Sequence, residues 1–93
     1  MHAEEPRNGV RYELFLLSAE AQRARYRAEV HTAAGPRVAV VDIDREGATL
    51  VEADAGLDPA HRAQLVALAR TLGKRDDSPW PRRVNRWRSP GVR

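Results

Sequence analysis

The chain contains no cysteine, which excludes disulfides and thiolate metal sites. Lysine is almost absent as well: Lys74 is the only one, and arginine supplies the other basic side chains. Alanine is frequent beside it, a pairing that genome-wide base composition produces without selection at any one position. Aromatic residues are few, two Trp, two Tyr and one Phe, so each weighs heavily in any core. Purely apolar runs such as Leu14 to Leu17 and Val38 to Val41 fall far short of the roughly 20 residues that cross a bilayer, so no membrane partner is expected. Met1 to Pro6 is acidic and lacks a basic n-region and an apolar h-region; the expected compartment is the cytoplasm.

What remains is a chain of 93 residues, 42% hydrophobic and 31% charged, the composition of a folded domain. That length suits one domain, 1–93, and is too short for two. Charge divides it unevenly. Residues 1–73 carry nine Arg against eleven Asp and Glu, a net of −2, whereas 74–93 carry seven basic residues against Asp76 and Asp77, a net of +5. Such asymmetry favours an acidic partner: nucleic acid, membrane surface or protein.

Residues 58–72 have the marks of a helix. Asp58 can accept from free first-turn amides, Pro59 fits the first helical position, and Leu65, Leu68, Ala69 and Leu72 recur on one face. His61 extends that stripe to its rim, and Gly73 is expected to end the helix in a left-handed conformation. Upstream, Val38–Ile43 and Ala48–Ala53 read as a hairpin joined by Asp44-Arg45-Glu46-Gly47, with Gly47 available for positive φ. Ala34-Gly35-Pro36 breaks the chain before them.

Val10, Tyr12, Leu14 and Leu16 alternate with polar or aromatic neighbours and suggest a first strand. From 24 to 32 the alternation is stricter, with Ala24, Tyr26, Ala28, Val30 and Thr32 on one side and Arg25, Arg27, Glu29 and His31 on the other. A helix starting at Ser18 competes, because Ala, Glu, Gln and Arg are strong helix formers. Periodicity decides for the strand. The expected fold class is therefore α+β: an antiparallel β-meander of four strands, with one amphipathic helix packed on one face. Residues 82–88 offer a fifth strand whose place is open. Residues 1–9 read as an unstructured N-terminus. The basic, Arg/Trp-rich segment 74–93 is expected to dock on the body, since so small a core has few aromatics to leave idle.

That segment holds the candidate binding residues: Trp80, Arg82, Arg83, Arg86, Trp87 and Arg88. The arginines could pair with phosphates and the indoles stack on bases; the bland alternative packs both indoles on the domain beneath solvated arginines. A second candidate is the polar strand face with Arg25, Arg27 and His31, joined by Arg11 and Arg37. Glu13 and Glu29 share it, so a solvated face of cross-strand ion pairs explains it better.

Asp42 to Gly47 resembles the first half of a calcium loop, but position five is Glu46, position twelve is Ala53, and no helix flanks it. His2, His31 and His61 are far apart in sequence, and no metal site or cofactor is expected. Ser18, Ser78 and Ser89 lie in no nucleophile motif, and there is no phosphate-binding fingerprint. The chain does not read as an enzyme. The leading expectation is a non-catalytic interaction module that binds a protein partner or itself as a homo-oligomer; the alternative is nucleic-acid binding through residues 80–88.

Overall fold

Alternation builds the first half of the molecule. The computed structural model describes residues 9–74 and 79–88; apart from Gly9, the expected unstructured N-terminus lies outside them, as do 75–78 and 89–93. Val10–Ala19 forms β1 and Arg23–Thr32 forms β2, paired antiparallel with Tyr12 opposite Val30 and Leu14 opposite Ala28. Ala24, Tyr26, Ala28 and Val30 are all buried, and Arg25 and Arg27 between them are exposed. A helix over the same residues would turn Tyr26 and Val30 away from Ala24 and Ala28, since residues two apart point roughly 200° apart on a helix. Only the strand buries all four together.

Gly35–Asp44 forms β3 and Ala48–Ala53 forms β4. Gly35 opens β3 with φ of +115°, the only positive φ among the described residues, and the Thr32 hydroxyl closes the turn by donating to the Gly35 carbonyl at 3.0 Å. Pro36 sits inside β3, where the sequence suggested a break. β4 pairs with β3 only from Ala39 onward, so the missing Pro36 N–H leaves no rung of that ladder empty. The β3–β4 link departs from expectation too. Gly47 does not take positive φ; instead the Asp44 carboxylate accepts from the amides of Glu46 and Gly47 at 2.7 and 2.8 Å. The side chain makes the turn, so the glycine need not.

Helix α1, Pro59–Gly73, begins as the sequence indicates, with Asp58 accepting from the Ala60 amide at 2.8 Å. Leu65, Leu68, Ala69 and Leu72 are buried as the helix lies across β3 and β4. Each buried leucine contributes about 1.5–3 kcal/mol, against about 1 kcal/mol for the cap, so packing holds the helix more than local propensity does. After it, Arg83–Arg88 forms β5, which pairs antiparallel with β1. The sheet order is β4-β3-β2-β1-β5, antiparallel throughout. The fold is α+β, with five strands and one helix on one face. No helix among the described residues is long and apolar enough to cross a membrane.

Gly73 is needed for a reason other than the expected one. It lies in the last helical turn without positive φ, and Lys74 caps the helix in ordinary right-handed geometry. A Cβ at position 73 would collide with the Asp44 carbonyl oxygen and stand 2.9 Å from Cγ2 of Ile43. Helix and strand end touch there through backbone. Gly73→Ala is therefore expected to cost about 3 kcal/mol and to lower Tm by roughly 12–24 °C. Gly47→Ala, where no atom lies within 4 Å of the new Cβ, should stay within about 0.5 kcal/mol; parallel thermal melts compare the two.

Candidate functional site

Because α1 covers one face of the sheet, the side chains of the opposite face meet no other described element. Strand register places Arg11, Glu13 and Phe15 of β1 there, between Arg27, Glu29 and His31 of β2 and Arg83, Asn85 and Trp87 of β5. At its centre Glu13 is only 5% exposed, enclosed by long side chains from both neighbouring strands. Arg83 Nη2 donates to it at 2.7 Å, His31 Nε2 lies 3.1 Å away, and Arg11 Nη2 is at 3.7 Å. The Arg83 hydrogen bond holds the Glu13 carboxyl below its ordinary value, outweighing the burial that pushes the other way. His31 Nε2 also lies 3.3 Å from Glu29. Between two carboxylates that nitrogen must carry the proton, because an unprotonated one would face acceptors on both sides.

The rest of the face is balanced in the same manner. Arg27 pairs with Glu29 at 2.8 Å, and Arg25 grips Asp42 with two bonds of 2.6 and 2.9 Å; this fork lowers the Asp42 pKa. Phe15 lies between the guanidinium groups of Arg27 and Arg83, 5.1 and 5.6 Å from its centroid. Arg37, grouped with this face in the sequence, stands opposite Val30 on the other side of the sheet. The face is thus an ion-paired surface with aromatic inserts.

One cluster escaped the sequence reading. Ligand atoms of Glu13, Glu29 and His31 lie within 4.8 Å of one another, although their separation along the chain suggested no site. The signal was present in the β1–β2 register, which sets Glu13 against Glu29 and His31 two places along. Arg83, Arg27 and Arg11 already engage these carboxylates, and a cation would have to displace them.

The six candidates at the C-terminal end do not form one cluster. Trp80 is partly buried; its indole N–H donates to the Glu20 carbonyl at 2.8 Å, and Arg45 stacks 4.1 Å above the ring. Arg45 also bonds the carbonyls of Ala21 and Gly73, which fastens the lead into β5 onto the β1–β2 turn. Beyond it the chain splits by alternation. Arg82 and Arg86 flank buried Val84 on the helix side, exposed and without a carboxylate partner among the described residues. Arg83 and Trp87 face the open side, where Trp87 is 54% exposed beneath Arg11 at 5.8 Å. Arg88 pairs with Val10 through register. Trp87 departs from the expectation of a packed indole because its strand is anchored by backbone pairing while no described element packs on that face, and the Arg11 guanidinium covers the ring only in part.

No family model, curated protein or solved structure matches the chain.

Two measurements check this geometry. Trp87 should supply most of the acrylamide-quenchable emission, so Trp87→Phe leaves a blue-shifted, protected signal and Trp80→Phe a red-shifted, quenchable one. The lowered pKa values of Glu13 and Asp42 mean that their stabilisation is complete above the ordinary carboxylate range. It is lost as pH falls through the lower folded-state values. Glu13→Gln should lose up to about 1 kcal/mol at pH 7, since Arg83 is largely exposed, and show a flatter decline towards pH 3 in urea melts.

Proposed function

We propose that this chain is a small non-catalytic interaction module that engages a protein partner, or a second copy of itself, through the β5 side of its sheet. The observation that carries this reading is the character of β5. It is an edge strand holding a half-exposed tryptophan, with two arginines beside it that have no carboxylate partner among the described residues. Tryptophan and arginine are the side chains most enriched where interfaces concentrate their binding energy. Six residues of strand extend about 20 Å, too little to bury the ~800 Å² per partner of a standard interface. The adjoining end of the open face at Phe15, with exposed Leu17 at the neighbouring β1 bulge, supplies further area.

Nucleic-acid binding through residues 80–88 is the second reading, favoured by Arg82 and Arg86, which have no carboxylate partner among the described residues, and by the half-exposed Trp87 indole, a surface on which a base could stack. Against it, Arg83 is committed to Glu13, and Glu29 and Asp42 offset the neighbouring positive charge.

Sedimentation across a concentration series, together with affinity capture, tests the module. Self-association or a retained partner is expected for the wild type, and at least a tenfold loss for the double variant Arg86→Glu/Trp87→Ala. A strict monomer that retains no partner overturns the reading. Anisotropy with short single- and double-stranded oligonucleotides at low salt separates the alternative: binding that disappears when Arg82, Arg83 and Arg86 become Ala supports nucleic acid, and no binding ends it.

A further inference from the structure

We infer that β5 receives an extended acidic segment of a protein partner as a sixth strand of the sheet, an inference that rests on the interaction-module reading above.

The backbone of β5 is prepared for such an addition. The Leu16 amide donates to the Arg82 carbonyl at 2.9 Å, and the pairs Leu14–Val84 and Tyr12–Arg86 continue that register. In an antiparallel pair the bonded residues alternate, so Arg82, Val84 and Arg86 turn their peptide groups towards β1. Arg83, Asn85 and Trp87 turn theirs outward, and no strand among the described residues lies beyond them. One of those outward groups is engaged by a substitute: the Arg86 guanidinium donates to the Asn85 carbonyl at 2.9 Å. That is the oxygen an incoming strand amide would take, and taking it would release Arg86 for a carboxylate.

Charge and shape choose the occupant. β4, the opposite edge, is interrupted by a register shift between Val40 and Val41 and bordered by Glu46, Glu52 and Asp54; a bulge and like charges there discourage addition. β5 has unbroken register over its length. Two β5 strands from separate copies would bring arginine against arginine, a like-charge cost in every such pairing. An acidic strand removes that cost. Arg82 and Arg86 share the helix side, four residues and about 13 Å apart, so the incoming segment fits with carboxylates on that side. Trp87 lies on the other, so the alternate positions fit as apolar ones. The recognised chemistry is an extended acidic–apolar alternation.

The test uses the full chain and a fluorescein-labelled peptide alternating glutamate with valine, beside its lysine-for-glutamate counterpart and a short single-stranded oligonucleotide. The acidic peptide should bind at least tenfold more tightly than the basic one. It should also slow hydrogen exchange at the Arg83, Asn85 and Trp87 amides. Asn85→Pro removes an outward amide without touching the β1 ladder or any charge, and should weaken binding at least tenfold. Arg82→Glu/Arg86→Glu should reverse the preference between peptides. Equal binding by Asn85→Pro and wild type, equal affinity for the two peptides, or binding of the oligonucleotide alone overturns strand addition. If Asn85→Pro does not fold, the charge-reversed variant and the exchange pattern decide. Capture of a partner undiminished by Asn85→Pro would sink strand addition and leave the module standing; a wild type without partner or self-association sinks the module itself.

Discussion

Two buried tyrosine hydroxyls tie this molecule together. Tyr12 and Tyr26 share the helix side of β1 and β2, opposite Val30 and Leu16 in their register, and are among the largest fully buried side chains of the core. A buried hydroxyl left without a partner costs roughly 1–3 kcal/mol, and each of these reaches one outside the meander. Tyr12 donates to Gln64 on α1. Tyr26 donates to the Pro81 carbonyl, just before β5, at 2.6 Å, and burial pushes its pKa up to about 12. The four-strand meander is thereby bound to the two elements that follow it. One hydroxyl helps position the helix and the other the lead into the last strand.

The placement of β5 follows from that bond and from the latch of Trp80 and Arg45 on the β1–β2 turn. Its consequences are electrostatic. Once β5 lies beside β1, Arg83 reaches Glu13, and a carboxylate on an otherwise open face becomes enclosed. Of the basic residues of β5 and its lead, Arg83 is thus spent inside the sheet's own surface, whereas Arg82 and Arg86 remain outside it. Tertiary placement divides one basic segment into a structural part and an exposed part.

Much of the fold could be read in the sequence because its signals are local. Strict alternation at 24–32 reports one buried side of a strand, and Asp58-Pro59 with the leucine stripe reports a helix and its start. The pairing of β5 with β1 was not legible: it depends on contacts across more than fifty residues, Tyr26 with Pro81 and Trp80 with Glu20. Gly73 and Gly47 show a subtler failure. Glycine signals either left-handed backbone or close approach, and the letter alone does not separate them. At 73 the cause was the approach of β3, and at 47 an Asp44 side chain had already made the turn. The Glu13–Glu29–His31 cluster and the exposure of Trp87 were hidden for the same reason, since both exist only once register and helix side are known.

The arginines of β5 also bear on how an edge strand can stay both available and solitary. An edge with free peptide groups invites any extended chain, including another copy of itself. Closing it with proline or a bulge solves the problem by abolishing the edge, and the β3–β4 register shift takes that route on the far side. β5 keeps an unbroken ladder and relies on charge instead. Arg82, Arg83 and Arg86 make self-pairing repulsive, and Arg86 covers the Asn85 carbonyl from within its own strand. Charge is a selective guard where a bulge is not: the repulsion that rejects a basic strand becomes attraction for an acidic one. An edge protected in this way discriminates between partners by the sign of their side chains, without any change in the backbone that would receive them.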